Sequence, residues 1–420
     1  MSVTVALIGT CDTKLDELLF LRDVIQAGSV RVILIDVGRD LVEHEAVSIT
    51  QQALIIQYGG NNQVRDLPRG EVIKTMAGYA TKCVQSLYKN GLVHGAIAAG
   101  GSGGTSLAAE VIRNALPIGF PKMIVSTIAS GDTGPIVEEM DITLMYSVVD
   151  ISGLNQVLRN VLSNAGAAIA GMAKAYSSRQ QSKSSQSPSR KRVGVTMFGV
   201  TTPAVDAIRK RLESKYPIEC YIFHATGHGG KAMERLVREG GLDAVLDLTT
   251  TEICDFLTGG NMSAGPKRLE GAAKAGIPNI ISLGATDMSN FGPISTVPEK
   301  YKDRQLYEHN PVITLMRSSI EECKQVGKFI VSKLKEFAET PEMVEVWIPR
   351  GGVSMIATPG GPFADARADE AMFETIKNGL EDTSIKVVED ARAINDEGFA
   401  HDIADALARK MLEATIINDS

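Results

Sequence analysis

Between Ala96 and Ser106 the chain reads AIAAGGSGGTS, with four glycines among the six residues from Gly100 to Thr105. Main-chain amides left bare by such a stretch can close around an anion, and a helix starting there adds roughly half a positive charge. Glycine serves twice: it accepts positive φ, and it leaves no Cβ between a phosphate oxygen and the amides. Gly100, Gly101, Ser102, Gly103 and Gly104 therefore read as a phosphate cradle, with Thr105 and Ser106 as hydroxyl donors. A tight strand-to-helix turn that needs small residues has the same spacing, so the stretch alone leaves both readings open. Neither common phosphate pattern is met: no Lys follows the glycines, and the third position of G-x-G-x-x-G is Ser106. Without that Lys, which supports charge on the β- and γ-phosphates, little nucleoside-triphosphate hydrolysis is expected.

Further polar residues stand where other strands end. IGTCDTK supplies Thr10, Asp12, Thr13 and Lys14; STIASGDTG, Ser126 to Gly134, supplies Ser130 and Gly131; RVILID ends on Asp36. A carboxylate at the end of a second strand often accepts from a ribose hydroxyl. Thr13 also reads as a helix cap and Asp36 as a turn residue. Their convergence on one sheet edge would suit a nucleotide.

The second half carries another set. His224 lies in FHATGHGG, Asp247 and Glu252 in LDLTTTE, Asp287 in GATDMSNFGP, and Glu308 and His309 in YEHNP. A His–carboxylate set can perform acid–base work, and these six are the candidate catalytic residues. Thr249 and Glu252 equally fit a capping box. His224 and His228 are separated by a glycine-bearing loop, and neither H-E-x-x-H nor a cysteine cluster occurs, so no metal site is expected.

The elements that must position these groups follow from periodicity. VTVALIG, RVILIDVG, GAIAAG, PKMIVST and ITLMYSV read as strands, with helices at Lys14–Gln26, around Glu71–Lys89, from near Gly104, and over LNQVLRNVLSNAGAAIAGM. RVGVTMFGVTTP restarts the pattern, followed by strands IECYIFH, DAVLDL, PNIISLG, MVEVWIP and SIKVVE and a helix over VITLMRSSIEECKQVGKFIVSKLKEF. Unbroken β-branched strands alternating with helices specify parallel sheets covered on both faces. The fold class is α/β: two tandem Rossmann-like domains, each a mostly parallel doubly wound sheet, over residues 1–176 and 193–420. The Ser-rich, basic stretch 177–192 reads as a linker. RGGVSMIATPGGPFADARAD reads as a long surface loop, or a lid over an interdomain crevice. SNAGAAIAGM reads as a small-residue helix face for a dimer contact or for core packing.

Composition excludes several classes. At 420 residues the chain exceeds one hydrophobic core, and 44% hydrophobic with 22% charged residues is ordinary globular composition. A net charge of -7 argues against a nucleic-acid surface. The five scattered cysteines form no disulfide framework, which fits a reducing compartment. No stretch reads as a signal peptide or a membrane span, so a cytoplasmic protein without membrane partners is expected.

With these motifs in view, the chain resembles the Tm-one-like ATP-binding domain family, typified by the amino-terminal domain of the tomato mosaic virus resistance protein. The resemblance runs over nearly the whole chain. It rests on GTCDTKLDEL, GGSGGTSL, LPIGFPKMIVSTIASG, SVVDISGLN, LSNAGAAIAGM, GVTMFGVTTP, FHATGHGGKAMERLV, LDLTTTEICDFLTGG, GATDMSNFGP and EHNPVITLMR. It implies ATP binding in the amino-terminal half, with or without magnesium, two Rossmann-like subdomains and a homodimer. Many members carry a further barrel domain resembling a hydrolase; this chain ends without one, so a separate barrel-type hydrolase chain is an expected partner. Virus inhibition belongs to one plant member and is not implied. Three readings stay open: a nucleotide-binding protein; a ligase, phosphotransferase or hydrolase acting on a small anionic substrate in an interdomain cleft; and a protein-interaction module stabilised by ATP.

Overall fold

The computed structural model describes residues 2–60, 64–182 and 190–418. The chain divides into two compact units, Met1–Ser187 and Pro188–Ser420.

In the first unit the elements run β1 (Thr4–Gly9), α1 (Cys11–Ala27), β2 (Arg31–Asp36), α2 (Gln51–Gly59), α3 (Arg69–Lys89) and β3 (Gly95–Gly100). They continue with α4 (Ser102–Ala115), β4 (Lys122–Ser126), α5 (Gly134–Val137), β5 (Thr143–Tyr146) and α6 (Gln156–Ser182). The five strands are parallel in the order β2-β1-β3-β4-β5. Every residue of β1, β3 and β4 is buried, whereas edge strand β5 is half-open. That is why the central strands read as unbroken apolar runs. Val5 and Leu7 of β1 pack into one layer with α1 and α6; Ala6 and Ile8 pack into the other with α3 and α4.

The small-residue face of α6 belongs to this core: a Cβ on Gly166 would lie 2.7 Å from Val24 Cγ1. Helix α6 also runs on to Ser182 with Ser177 buried, and β6 begins at Lys191, so the expected linker 177–192 is shorter at both ends. The last turns of α6, residues 178–182, are polar and exposed, so their composition did not mark the helix end; residues 183–189 lie outside the described residues.

The second unit runs β6 (Lys191–Met197), α7 (Thr202–Lys215), β7 (Ile218–His224), α8 (His228–Arg238), β8 (Ala244–Thr249), α9 (Thr251–Thr258), α10 (Glu270–Ala275) and β9 (Asn279–Gly284). Next come β10 (Met288–Phe291), β11 (Leu306–Asn310), β12 (Ile313–Arg317) and α11 (Ile320–Phe337). It closes with β13 (Val344–Pro349), α12 (Ala366–Leu380), β14 (Lys386–Asp390) and α13 (Glu397–Asn418). Six strands are parallel in the order β14-β13-β9-β8-β6-β7. One core layer is built on α7 and α13, the other on α11 and α12.

Two expectations are corrected. The stretch read as one helix from Val312 splits: Ile313–Arg317 is a strand of a separate antiparallel sheet, β10-β12-β11. Ser319 then caps α11, its Oγ accepting from Glu322 N while Glu322 accepts from Ser319 N. Helix α4 opens at Ser102 rather than near Gly104, because Gly101 is already its N-cap.

Candidate functional site: the carboxyl edge of the first sheet

In sheet order β2-β1-β3-β4-β5 the chain turns back between β1 and β3, and ligands of such sheets sit beyond the carboxyl ends of the strands there. A cleft of about 830 Å³ lies at that place. All five strand ends contribute: Thr10, Asp12, Thr13 and Lys14 after β1; Val37, Arg39 and Asp40 after β2; Gly101 to Gly104 after β3; Thr127 after β4; and Val148 to Asp150 after β5. Arg69, Val72 and Ile73 of α3 and Leu107 of α4 complete the wall.

Of the helices that start at this edge, α1 and α4 follow the strands that flank the switch point, and α4 leaves three successive amides open. At α1, Cys11 N donates to Asp36 Oδ1 at 3.0 Å, and Thr13 N and Lys14 N donate to Thr10 O. At α4, Gly101 provides no side-chain cap, and the amides of Ser102, Gly103 and Gly104 find no acceptor among the described residues. The glycines are not there for positive φ: none of Gly100, Gly101, Gly103 and Gly104 has it. A Cβ on Gly104 would meet nothing within 4 Å, and one on Gly101 only Thr127 Oγ1 at 3.8 Å. Glycine in a helix is about 0.5–1 kcal/mol less stable than alanine, and the protein itself gives no steric reason for it at Gly104. Gly100 differs, since its Cβ would sit 3.1 Å from Gly104 Cα, so strand and helix pack closely there.

The cations divide unevenly. Lys14, bent out of helical geometry at φ -140 and ψ 28, donates through Nζ to Ile151 O at 2.5 Å. Arg39 Nη2 donates to Leu67 O at 2.9 Å. Arg69 has no ion-pair or hydrogen-bond partner for its guanidinium among the described residues, and a Cβ on Gly103 would lie 3.6 Å from its Nη2.

Six residues expected here stand elsewhere. Asp36 is fully buried, with Oδ1 accepting from Cys11 N and from Gly38 N at 2.9 Å; burial pushes its carboxyl above the ordinary range. It positions backbone and lies outside the lining of the cleft. Thr105 is buried, its Oγ1 2.7 Å from Ser126 Oγ between β3 and β4. Gly100 closes β3 outside the lining, Ser106 is exposed on the outer face of α4, and Ser130 and Gly131 sit in an exposed turn away from the cleft. Arg39, Asp40, Arg69, Thr127 and Val148 to Asp150 were not singled out. Of these, Arg69 was detectable, as a basic residue opening a helix directly after Pro68.

The six catalytic candidates of the second unit do not form one constellation. Asp247 and Glu252 bind Arg268, whose side chain is 1% exposed. Asp247 Oδ1 accepts from Arg268 Nη2 at 2.6 Å and from Thr196 Oγ1 at 2.8 Å. Glu252 Oε2 accepts from Arg268 Nε at 2.8 Å, and its Oε1 takes the amides of Gly227 and Gly230. The capping-box pattern from Thr249 is therefore not used, and α9 starts from Thr250. Asp287 is buried and accepts from Ser354 Oγ at 2.9 Å; burial raises its carboxyl to about 7 against the pull of Arg317. Glu308 and His309 are exposed on edge strand β11, and exposed His224 packs its ring on Phe198 at the end of β7.

The crevice of the second sheet, between β6 and β8, is filled from within. The Gly/Pro-rich segment after β13 folds onto its own unit: Val353 O accepts from Ala285 N, and Met355 N donates to Val200 O. Val353, Ser354 and Phe363 are buried. Among the described residues no group of three or more His, Cys, Asp or Glu side chains could hold a metal. All five cysteines are free, and no described helix is long and apolar enough to cross a membrane.

These features define a two-unit Rossmann-like α/β protein with one open cleft at the switch point of its first sheet. The chain belongs to the UPF0261 family: the N-terminal domain of this uncharacterised protein family matches residues 3–178 and its C-terminal domain residues 190–411. It is 41% identical over 423 residues to a UPF0261 protein of Clostridium tetani, covering 98% of this chain and 99% of that one. It is 38% identical to the ToMV resistance protein Tm-1(GCR237) of Solanum lycopersicum, covering 95% of this chain but 54% of the tomato protein, so it spans about half of that relative. The solved S. aureus MnaA–UDP structure aligns at 12% identity and a TM-score of 0.22, covering 93% of this chain and all (100%) of that one, too low a score to carry an argument.

Proposed function

We propose that the first unit is a nucleotide-binding module that holds ATP by its phosphates on the opening turn of α4. The observation that carries the reading is the bare start of that helix. Its first amides lack acceptors, its glycines adopt ordinary helical φ, and Gly104 faces open space in the cleft. A polyanion there gains amide donors and the helix dipole together. Arg69, exposed beside Gly103, supplies a countercharge. Magnesium, where it accompanies the triphosphate, would be held by the phosphates, since no carboxylate cluster stands ready among the described residues. The tomato relatives are ToMV resistance and susceptibility proteins; the chemistry of the cleft gives no reason to carry that property over.

The test is a thermal-shift and calorimetric titration of the full chain with ATP. Saturation at about a hundred times Kd adds about 2.7 kcal/mol to the liganded state. Gly103→Asp sets a carboxylate against Arg69 and the open amides, and it is expected to remove both heat and shift. Wild-type chain giving neither heat nor shift ends the reading.

A further inference from the structure

Val148 is the β-branched residue that the described chain holds at positive φ, +66°. Val149 N donates to Ser147 O at 2.7 Å, which closes a γ-turn centred on Val148, and Ser147 Oγ donates to Val149 O at 2.6 Å. This left-handed conformation is strained for a branched side chain. It persists where surrounding contacts over-determine it, and α1 supplies them. Lys14 Nζ holds Ile151 O, and Glu17 Oε1 accepts from Gly153 N, both at 2.5 Å. Yet Val148 is 59% exposed, so its side chain covers little of the protein. What it does line is the cleft.

The charges of the cleft give it a direction. Arg39 and Arg69 stand on its β2 side with Asp40, whose carboxylate Arg65 pairs at 3.1 Å, and Arg69 lies beside the α4 turn, so a phosphate chain extends that way. On the β5 side stand two valines, Asp150, whose carboxylate has no hydrogen-bond or ion-pair partner among the described residues, and the Lys14 ammonium, held on Ile151 O. The ammonium and the carboxylate offset one another there, and the two valines favour a neutral, partly apolar group.

We propose that the turn Val148–Asp150 is the nucleoside end of the cleft. Val148 and Val149 cover the face of a planar base, and Asp150 accepts from an exocyclic amino hydrogen, which selects an amino-bearing base such as adenine. This rests on the nucleotide reading above.

The experiment titrates the full chain calorimetrically with ATP, ITP and inorganic tripolyphosphate, and repeats this for Val148→Gly and Asp150→Asn. Val148→Gly relieves the strained φ, so its unliganded melting temperature is expected at or above that of wild type. Its ATP affinity falls about tenfold, the equivalent of one lost apolar side-chain contact, while tripolyphosphate affinity is unchanged. Asp150→Asn narrows the preference for ATP over ITP and leaves tripolyphosphate alone. If Val148→Gly weakens ATP and tripolyphosphate alike, or neither, the assignment falls while the phosphate cradle stands. An ATP-over-ITP preference that survives Asp150→Asn removes the role of Asp150. Wild-type chain that binds no polyphosphate at all overturns the nucleotide reading and this assignment together.

Discussion

Asp12 and Asp36 exchange backbone partners across the ends of β1 and β2. Asp36 Oδ1 accepts from Cys11 N, next to Asp12, while Asp12 Oδ2 accepts from Arg39 N at 2.8 Å and Asp40 N at 3.2 Å, just past Asp36. Gly38 completes the clasp, since a Cβ on it would lie 2.6 Å from Asp12 Oδ1. Each carboxylate thus fixes the other's loop, and both loops wall the cleft.

The two halves of that clasp should fail differently. Asp36→Ala leaves two buried amides without an acceptor and is expected to lower stability by about 3 kcal/mol. Asp12→Ala frees amides nearer the surface, with a loss of about 1 kcal/mol but a clear loss of ATP affinity as residues 37–40 loosen. Urea denaturation and calorimetry on both variants separate the effects. Equal losses of stability would contradict the division.

Gly104→Ala should move stability and binding in opposite directions. The new methyl meets no protein atom within 4 Å, and alanine improves the helix by about 0.5 kcal/mol. The same methyl stands among the amides that would face phosphate. A raised unliganded melting temperature with weakened ATP binding is the expected result; stronger ATP binding would remove the close-approach argument.

In the second unit, Arg268 binds Asp247, Glu252 and Glu234 within the interior. Glu234 also accepts the amides of Leu269 and Gly271, so the cluster ties β8, α8, α9 and the start of α10 together. Arg268→Met leaves three carboxylates without their cation, a loss of about 3–5 kcal/mol. Arg268→Lys should not rescue it, because one ammonium cannot copy the guanidinium fork. The single tryptophan, Trp347, lies in β13, so its fluorescence follows this unit. An unfolding free energy within about 0.5 kcal/mol of wild type, the usual scale of surface substitutions, would show the cluster to be dispensable.

Asp287 sets a pH dependence. Burial raises its folded-state pKa from 3.8 to about 7, so the native state keeps a proton that the unfolded chain releases. Its contribution is complete below the unfolded value and is lost as pH climbs through the folded one. Asp255, also raised to about 7 by burial, acts in the same sense. Stability of the second unit should therefore decline between about pH 4 and pH 7, and Asp287→Asn should flatten the decline. Trp347 fluorescence melts across that range decide it, and an unchanged slope in the variant would refute the assignment to Asp287.

How much of this was legible in the sequence depends on what kind of interaction sets each feature. The parallel sheets were, because buried central strands such as β1 and β3 must be apolar along their whole length. The α4 turn was legible from its glycines, although none of the four has the positive φ that glycine permits. Asp36 was misplaced because a strand-end carboxylate looks the same whether it faces a ligand or caps backbone amides. Asp247 and Glu252 looked like chemistry because Arg268, 21 and 16 residues away, gives no local sign that it will be buried between them. Strand β12 was hidden inside a helical period that the Ser319–Glu322 cap, visible in the sequence, should have ended.

Because segment 350–363 already occupies the carboxyl edge of the second sheet, that unit brings its own filling wherever the chain goes. Among the described residues no such segment fills the cleft of the first unit. On the proposed reading, its resistance to unfolding rises and falls with nucleotide supply, whereas its neighbour's does not. Under scarcity the amino-terminal half would be the first substrate for a protease, and the pattern of surviving fragments, with and without added ATP, would record how well supplied the chain had been.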